Sequence, residues 1–422
     1  MIEREDAAEG RRGYGGGRVL AVVQAGGQGS RMDVLTRERA KPALPFAGHF
    51  RLIDFTLSSI MHAGITDVWV SVQYQAGSLD RHLAHGRPWD LDRTRGGLRQ
   101  MAPQEGAGAP SESGFSRGSA DDLYLMRDEI ARHGADLLVV SSADHVHNID
   151  LESVLRAHEE AGAEATVVTA EVGPVEAGHN VVVRTGAHGL VTAVEDKPEH
   201  PQTCTVATEV FVFDRRLVVD ELDRLRRERQ QSSESADTGL GDLADHLLPD
   251  LEARGSVMAV PVTGYWKDVG RPEAYLQGHR DLLRGRVDVF SEPGRPVLTA
   301  PGPGLPAQVS DGAAVHDSLL SRGAVVRGEV MRSVVGPGVV VQAGARVVDS
   351  VIFEDVLVEG GARVHTTVVD SRARIGRNST VGAEPSATRL READVTLVGA
   401  DAIVARGGSL AAGGRMEPGA VT

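Results

Sequence analysis

Nine apolar residues near the end of this chain recur at a fixed interval, and that interval leaves few folds open. Val335, Val341 and Val347 lie six residues apart, as do Ile352, Val358 and Val364, then Val369, Ile375 and Val381. Each triplet begins 17 residues after the one before, with Gly338, Gly344, Gly361 and Gly376 in between. This pattern is that of a parallel β-helix, in which one hydrophobic residue of each hexapeptide points inward and three hexapeptides close one triangular coil. A valine-rich β-sandwich is the alternative, and three aligned triplets weigh against it. After Gly382 the repeat degrades, so the helix is expected to be only a few coils long.

Upstream the pattern changes to short apolar runs alternating with amphipathic stretches, the signature of an α/β domain. Strands are expected at Arg18 to Val23, Thr66 to Val72 and Asp136 to Ser142, and a helix at Leu57 to Ala63 with Gly64 as its left-handed cap. Between the two regions, prolines 293, 296, 301, 303 and 306 alternate with glycines, a linker composition. The expected division is a disordered leader over residues 1–17, an α/β domain over 18–290, a linker over 291–307 and the β-helix over 308–422. Two domains suit a chain of 422 residues.

The formal net charge is -14 and no broad basic face is evident, so no nucleic-acid partner is expected. The densest basic run, Arg224 to Arg229, reads as the solvated face of a helix. No apolar run approaches the roughly 20 residues that span a bilayer, and no membrane association is expected. Cys204 is the only cysteine, which fits a reducing cytoplasm. Any anionic ligand must therefore be held by individual cations in a local pocket.

The first strand runs straight into Gln24-Ala25-Gly26-Gly27-Gln28-Gly29, where backbone N–H groups can converge on phosphate oxygens. Alone this signal is weak, but the loop lacks the Lys-Ser/Thr ending of a Walker A motif, and no acidic residue closes a second strand as in dinucleotide folds. Arg31 follows immediately, then Arg39-Ala40-Lys41-Pro42-Ala43. Phe50-Arg51-Leu52-Ile53-Asp54-Phe55 lies just before the expected helix. Further anchors are Gln73-Tyr74, Arg117-Gly118-Ser119-Ala120-Asp121, Ala143-Asp144-His145, Asp196-Lys197-Pro198 and Tyr265-Trp266-Lys267-Asp268-Val269-Gly270. As an ordered set covering most of residues 18 to 285, these resemble the nucleotide-sugar pyrophosphorylases, and specifically the ADP-glucose pyrophosphorylase (glucose-1-phosphate adenylyltransferase) family. The resemblance implies a Rossmann-like nucleotidyltransferase domain followed by a left-handed parallel β-helix, assembled as a homo-oligomer.

It also implies a reaction: a phosphate oxygen of a sugar-1-phosphate attacks the α-phosphorus of an NTP and pyrophosphate leaves. The nucleophile is already ionised, so the task is positioning and charge stabilisation. Arg31 and Lys41 are expected at the triphosphate, with a surface ion pair as the alternative for each. Asp144, ending a strand, and Asp268, in a loop, are expected to hold Mg²⁺, a hard cation that takes one or two carboxylates plus substrate phosphates. A helix cap is the alternative for Asp268. Gln24, Ala25, Gly26, Gly27, Gly29, Gly118 and Ser119 are assigned to the nucleotide, together with Gln104, which could equally be an ordinary loop residue. Lys197 is assigned to the phosphate of the acceptor, with Asn180, Asp196 and Glu209 around it.

Several positions depart from the family pattern. Gln24 replaces leucine and could read a base edge or bond to nearby backbone. Asp196 replaces glutamate before Lys197, Ala207-Thr208-Glu209 replaces Ser-Met-Gly, and Asn180-Val181 lacks a glycine. Phosphate-handling residues are kept while sugar-contacting ones are changed, which leaves two acceptors open, glucose-1-phosphate with ATP or a cyclitol-1-phosphate such as valienol-1-phosphate with GTP. Glu38 stands near the place of an activator-binding lysine of some relatives, so allosteric control is not expected. A non-catalytic regulatory subunit and a β-helix acyltransferase are the rival readings. His365 is the one catalytic-base candidate for the latter, and it reads instead as a solvent-facing corner residue.

Overall fold

A computed structural model describes residues 15–103, 115–232, 239–289, 294–302, 304–384 and 390–422. Most of the expected leader and Gln104 lie outside the described residues. The elements that place the site are β1 (Val19–Gln24), α1 (Leu52–His62), β2 (Asp67–Ser71), β3 (Gly97–Met101), α2 (Ser119–His133), β4 (Leu137–Ser142) and β5 (His145–His147). They continue with β6 (Ala165–Glu171), β7 (Val181–Thr185), β8 (Val191–Asp196), β9 (Thr205–Asp214), β10 (Val257–Pro261), β11 (Trp266–Asp268) and α3 (Pro272–Leu283).

One sheet carries the α/β domain in the order β8-β7-β9-β4-β1-β2-β3, with β6 and then β10 joined through β9. The strands β4, β1, β2 and β3 are parallel, and β1 lies between β4 and β2. This arrangement puts a topological switch beside β1, and a crevice opens there at the carboxyl ends of β1 and β4. β1 reads VLAVVQ and is buried up to Val23, as a central parallel strand covered on both faces requires. The helix α1 begins at Leu52, five residues before the expected start. Asp54 lies inside its first turn, not ahead of it, and accepts the Arg51 N–H at 2.8 Å, while Leu52, Ile53 and Phe55 are buried.

The last region is a parallel β-helix with three faces, each a six-stranded parallel sheet. All nine residues of the three triplets are at most 1% exposed and pair coil on coil. The helix is longer than the expected few coils. It starts at Gln308–Val309, and beyond Gly382 it resumes with Thr396–Val398 and runs to Arg415–Met416. His365 is buried rather than at a solvent-facing corner, with Glu384 3.9 Å from its Nδ1.

The two regions share one apolar cluster, in which Met32, Leu35, Phe46 and Tyr275 meet Val351, Phe353, Val395 and Leu397. The Pro/Gly-rich segment, expected as a linker, is docked on α1. Ser58 Oγ accepts the Leu298 N–H at 2.9 Å, and His62 Nε2 lies 2.8 Å from the Pro296 carbonyl. No helix among the described residues is long and apolar enough to cross a membrane.

Candidate functional site

The glycine loop leaves β1 at the crevice. Ala25 still belongs to the sheet edge, its N–H donating to the Ser71 carbonyl at 2.9 Å, so it offers no donor to a ligand. Among the described residues, the N–H groups of Gly26, Gly27 and Gly29 make no hydrogen bond within the protein. Two of these glycines are demanded by close approach. A Cβ on Gly26 would stand 2.7 Å from Gln73 Nε2, and Gly29 has φ 65° with the Lys41 side chain 3.0 Å from where its Cβ would be.

Lys41 opens a short turn, Lys41–Ala43, and its side chain is only 6% exposed. Its Nζ lies 2.6 Å from Asp144 and 3.7 Å from Asp268, a buried ion pair and not a surface one. Burial works against the ammonium, but the two aspartates outweigh it and its pKa is raised. Asp144 and Asp268 are desolvated as well, and Lys41 and His145 hold both carboxyls below the usual range. Ser142 Oγ also donates to Asp144.

These aspartates, far apart in the chain, meet through a small antiparallel ribbon. β5 pairs with β11 so that His145 faces Asp268, which carries Asp268 back to the end of β4. Asp268 therefore ends a strand instead of lying in a loop. Its carboxylate accepts the Gly270 N–H at 2.7 Å and does not cap α3, whose N-cap residue Arg271 has no side-chain cap bond.

His145 is fully enclosed, with Nδ1 3.1 Å from the Thr208 carbonyl. That contact makes Nδ1 the protonated nitrogen and turns Nε2 toward Asp144, Asp268 and Glu209, at 3.7, 3.8 and 3.8 Å. Burial lowers its pKa, and the surrounding carboxylates, Glu209 first, outweigh that and raise it. Glu209 sits where the register of β9 shifts between Ala207 and Phe211, and its backbone has φ 58°. A glutamate thus occupies a left-handed backbone position that glycine takes at least cost. Desolvation in the cleft raises its pKa, partly offset by His145. Among the described residues its carboxylate makes no hydrogen bond.

Gln24, Arg31, Asn180, Lys197, Glu209 and Asp268 line one cleft. Lys197 turns out of β8 with φ 43°, its N–H donating to the Asn180 carbonyl at 3.2 Å. Its Nζ lies 2.9 and 3.1 Å from the two oxygens of Asp196. The Asn180 amide donates to the Glu176 carbonyl at 2.8 Å. At the start of α2, a Cβ on Gly118 would overlap the Gly241 backbone, so only glycine fits. Ser119 donates its N–H to Asp242 at 3.0 Å and accepts the Leu243 N–H on Oγ at 2.9 Å. The Gln24 amide donates to the Ser119 carbonyl at 2.7 Å and to Asp122 at 3.1 Å, tying β1 to α2.

Sequence reasoning passed over His145, Asp122 and Asp242. His145 was visible beside Asp144, but nothing in the sequence shows three carboxylates converging on it. Asp242 carried no signal, because its role depends on a loop folding back onto α2.

Residues 20–285 match the family described as nucleotidyl transferase, and residues 306–402 match the GlmU-like C-terminal hexapeptide. With the latter, the three-faced coil is a left-handed parallel β-helix. A glucose-1-phosphate adenylyltransferase of Acetivibrio thermocellus is 30% identical over 399 residues, covering 92% of this chain and 90% of that protein. The enzyme of the same name from Bacillus licheniformis is 35% identical, covering 75% and 81% of the two chains. That from Thermotoga neapolitana is also 35% identical, covering 78% and 76%. With a family match across the whole α/β domain and relatives aligned over both regions, this chain belongs to the nucleotidyl transferase family, and it is an enzyme of that family.

Proposed function

We propose that the chain joins an NTP to a sugar-1-phosphate with release of pyrophosphate, the reading that the names of its relatives also support. The observation that carries it is the pairing of two cation sets across one crevice. Arg31 and Lys41 stand by the glycine loop with its unused N–H groups, and Lys197 lines the same cleft as Arg31. The triphosphate lies on the loop and the acceptor phosphate at Lys197. An oxygen of the acceptor phosphate forms the new bond to the α-phosphorus as the bond to the β-phosphate oxygen breaks, and the electron pair leaves with pyrophosphate. Arg31 and Lys41 neutralise the charge that accumulates on the leaving group, and no side chain has to remove a proton.

The donor set also fits a divalent cation. Asp144, His145 and Glu209 offer ligand atoms within 4.8 Å of one another, and Asp268 lies 3.8 Å from His145 Nε2 and 3.7 Å from Lys41 Nζ. Asp144 and Asp268 are the hard oxygen ligands that would hold Mg²⁺, and a bound cation would supply positive charge to offset that of the substrate phosphates. Lys41 keeps these carboxylates ionised, as such ligands must be. A homo-oligomer in a reducing cytoplasm completes the reading, and light scattering on the purified protein tests the assembly.

Glu209 favours a second acceptor. A carboxylate that lines the cleft with Lys197, paired with His145 at 3.8 Å but without a hydrogen bond among the described residues, can accept from hydroxyl donors, so a cyclitol-1-phosphate with GTP is the alternative to glucose-1-phosphate with ATP. One matrix tests both readings: pyrophosphate release with each of the four NTPs against glucose-1-phosphate and cyclitol-1-phosphates, with Mg²⁺. Release that needs both an NTP and an acceptor is expected. If no pair gives pyrophosphate, the proposed reaction and both acceptor readings fall.

A further inference from the structure

The glycine loop does not stand on the α/β domain alone. It continues into the turn Ser30–Thr36, where Met32, Val34 and Leu35 are at most 1% exposed and share a cluster with Val395 and Leu397 of the β-helix. Between those anchors Asp33 has φ 52° and ψ -126°. That is the backbone of the first central residue of a type II′ turn, a place suited to glycine. A non-glycine residue held there is strained, and strain persists only where the surroundings over-determine it.

The surroundings here come from the last coils of the β-helix. Arg415 Nε donates to the Asp33 carboxylate at 3.1 Å. The same guanidinium is fixed from behind, donating from Nη1 to the carbonyls of Val395 at 2.7 Å and Gly413 at 2.9 Å. Arg37 closes the network, 3.4 Å from Asp33 and 3.3 Å from Glu417. Thr36 Oγ1 donates to the Gly29 carbonyl at 2.9 Å and lies 3.1 Å from that of Asp33, locking the turn to the last glycine of the loop. Arg31 lies in this turn, two residues before Asp33. Its guanidinium passes over Gly270, with Nη2 3.4 Å from where a Cβ of that glycine would stand, beside Lys41 and Asp268.

We propose that Arg415 is a positioning residue for nucleotidyl transfer: by clamping Asp33 it holds the loop in the turn that aims Arg31 at the triphosphate. The proposal rests on the reading of Arg31 as a triphosphate ligand. It gives the β-helix a part in the reaction at a distance from the acceptor, so its effect is confined to the NTP side. A displaced Arg31 leaves Lys197 and the β7–β8 end untouched.

The test uses the full chain and steady-state kinetics with each substrate varied in turn. Arg415→Met keeps the aliphatic stem and removes the clamp, and Asp33→Asn removes the charge it holds. Each is expected to raise the NTP KM about tenfold, the loss of roughly one charge-assisted bond, while the acceptor KM moves less than twofold. The double variant is expected to be no worse than the poorer single, because both remove the same contact. Arg391→Ala, which breaks an exposed ion pair with Asp394 on a neighbouring segment, is expected to behave as wild type. An NTP KM within twofold of wild type in both singles overturns the proposal. So do losses that multiply in the double variant, or a joint rise of both KM values with a lowered unfolding midpoint. Arg31→Ala run alongside separates the two layers. If it leaves the NTP KM unchanged, the triphosphate reading falls and takes the clamp with it. If it impairs NTP use while Arg415→Met does not, the clamp alone is wrong.

Discussion

Lys41 and Asp144 form one buried ion pair beside the glycine loop. The ammonium stays charged because Asp144 at 2.6 Å and Asp268 at 3.7 Å compensate its burial. Asp144→Asn removes the nearer counter-charge and a proposed metal oxygen, but leaves Asp268 to partner the lysine. The fold is therefore expected to survive by circular dichroism, while turnover with Mg²⁺ drops by about 10²–10³-fold, the scale of losing one preorganised electrostatic group. Unchanged turnover would remove the metal role. A second carboxylate makes a prediction about pH. Asp122 is buried against Gln24 and accepts from Ser71 Oγ at 2.6 Å, and burial pushes its pKa from 3.8 up to about 6 despite those hydrogen bonds. A raised native pKa means the folded state binds the proton more tightly than the unfolded chain. The contribution of this group to stability is then best below pH 4 and declines as pH rises through 6, by up to about 3 kcal/mol. Urea unfolding of wild type and Asp122→Asn at pH 4.5 and 7.5 checks this, the variant gaining on wild type at the higher pH. An equal gap at both pH values would mean that Asp122 titrates normally.

At the scale of elements, the β7–β8 hairpin is the part of the cleft that the proposed function assigns to the acceptor. Its end is pinned by the Lys197 N–H to the Asn180 carbonyl, so the lysine side chain is presented by a fixed backbone. Lys197→Ala is expected to raise the acceptor KM at least tenfold with little change for NTP, and the reverse split would reassign it. This scale also shows what a sequence can disclose. The β-helix was legible because Val335, Ile352 and Val369 repeat at a constant 17 residues, a local regularity that needs no knowledge of contacts. Its outer coils were not, because the interval breaks where the chain is cut or padded. Val326 stacks on Val341 after 15 residues, and Val381 stacks on Leu410 only after 29. The glycine loop and Lys41 were legible as motifs. The bulge that presents Glu209 and the ribbon that joins His145 to Asp268 were not, since both depend on strand pairs distant in sequence. The docking of Leu298 and Pro296 on α1 was hidden by a composition that otherwise reads as a tether.

For the whole molecule the question is whether the two matched regions behave as two bodies or one. Their contact has a continuous apolar core, with Phe46 and Tyr275 on one side and Val351 and Phe353 on the other. It is crossed by ion pairs that water barely reaches. Arg39 lies 2.7 Å from Asp370, and Arg280 lies 3.1 Å from Asp349, with both side chains of the second pair 9% exposed. A pair this enclosed contributes little net energy when intact, but removing one partner leaves a buried charge and costs about 3–5 kcal/mol. Arg332, 3.4 Å from Asp349 and itself half-exposed, recovers only part of that loss. The wild-type chain is accordingly expected to unfold in a single calorimetric transition, because neither region can open without exposing the shared core. Arg280→Ala is expected to lower that midpoint by several degrees without altering the acceptor KM, since the cleft that holds Lys197 is lined by other residues. Two separate transitions in the wild type would show that the regions are thermodynamically independent, and would leave Arg415 without the rigid support its clamp on Asp33 requires.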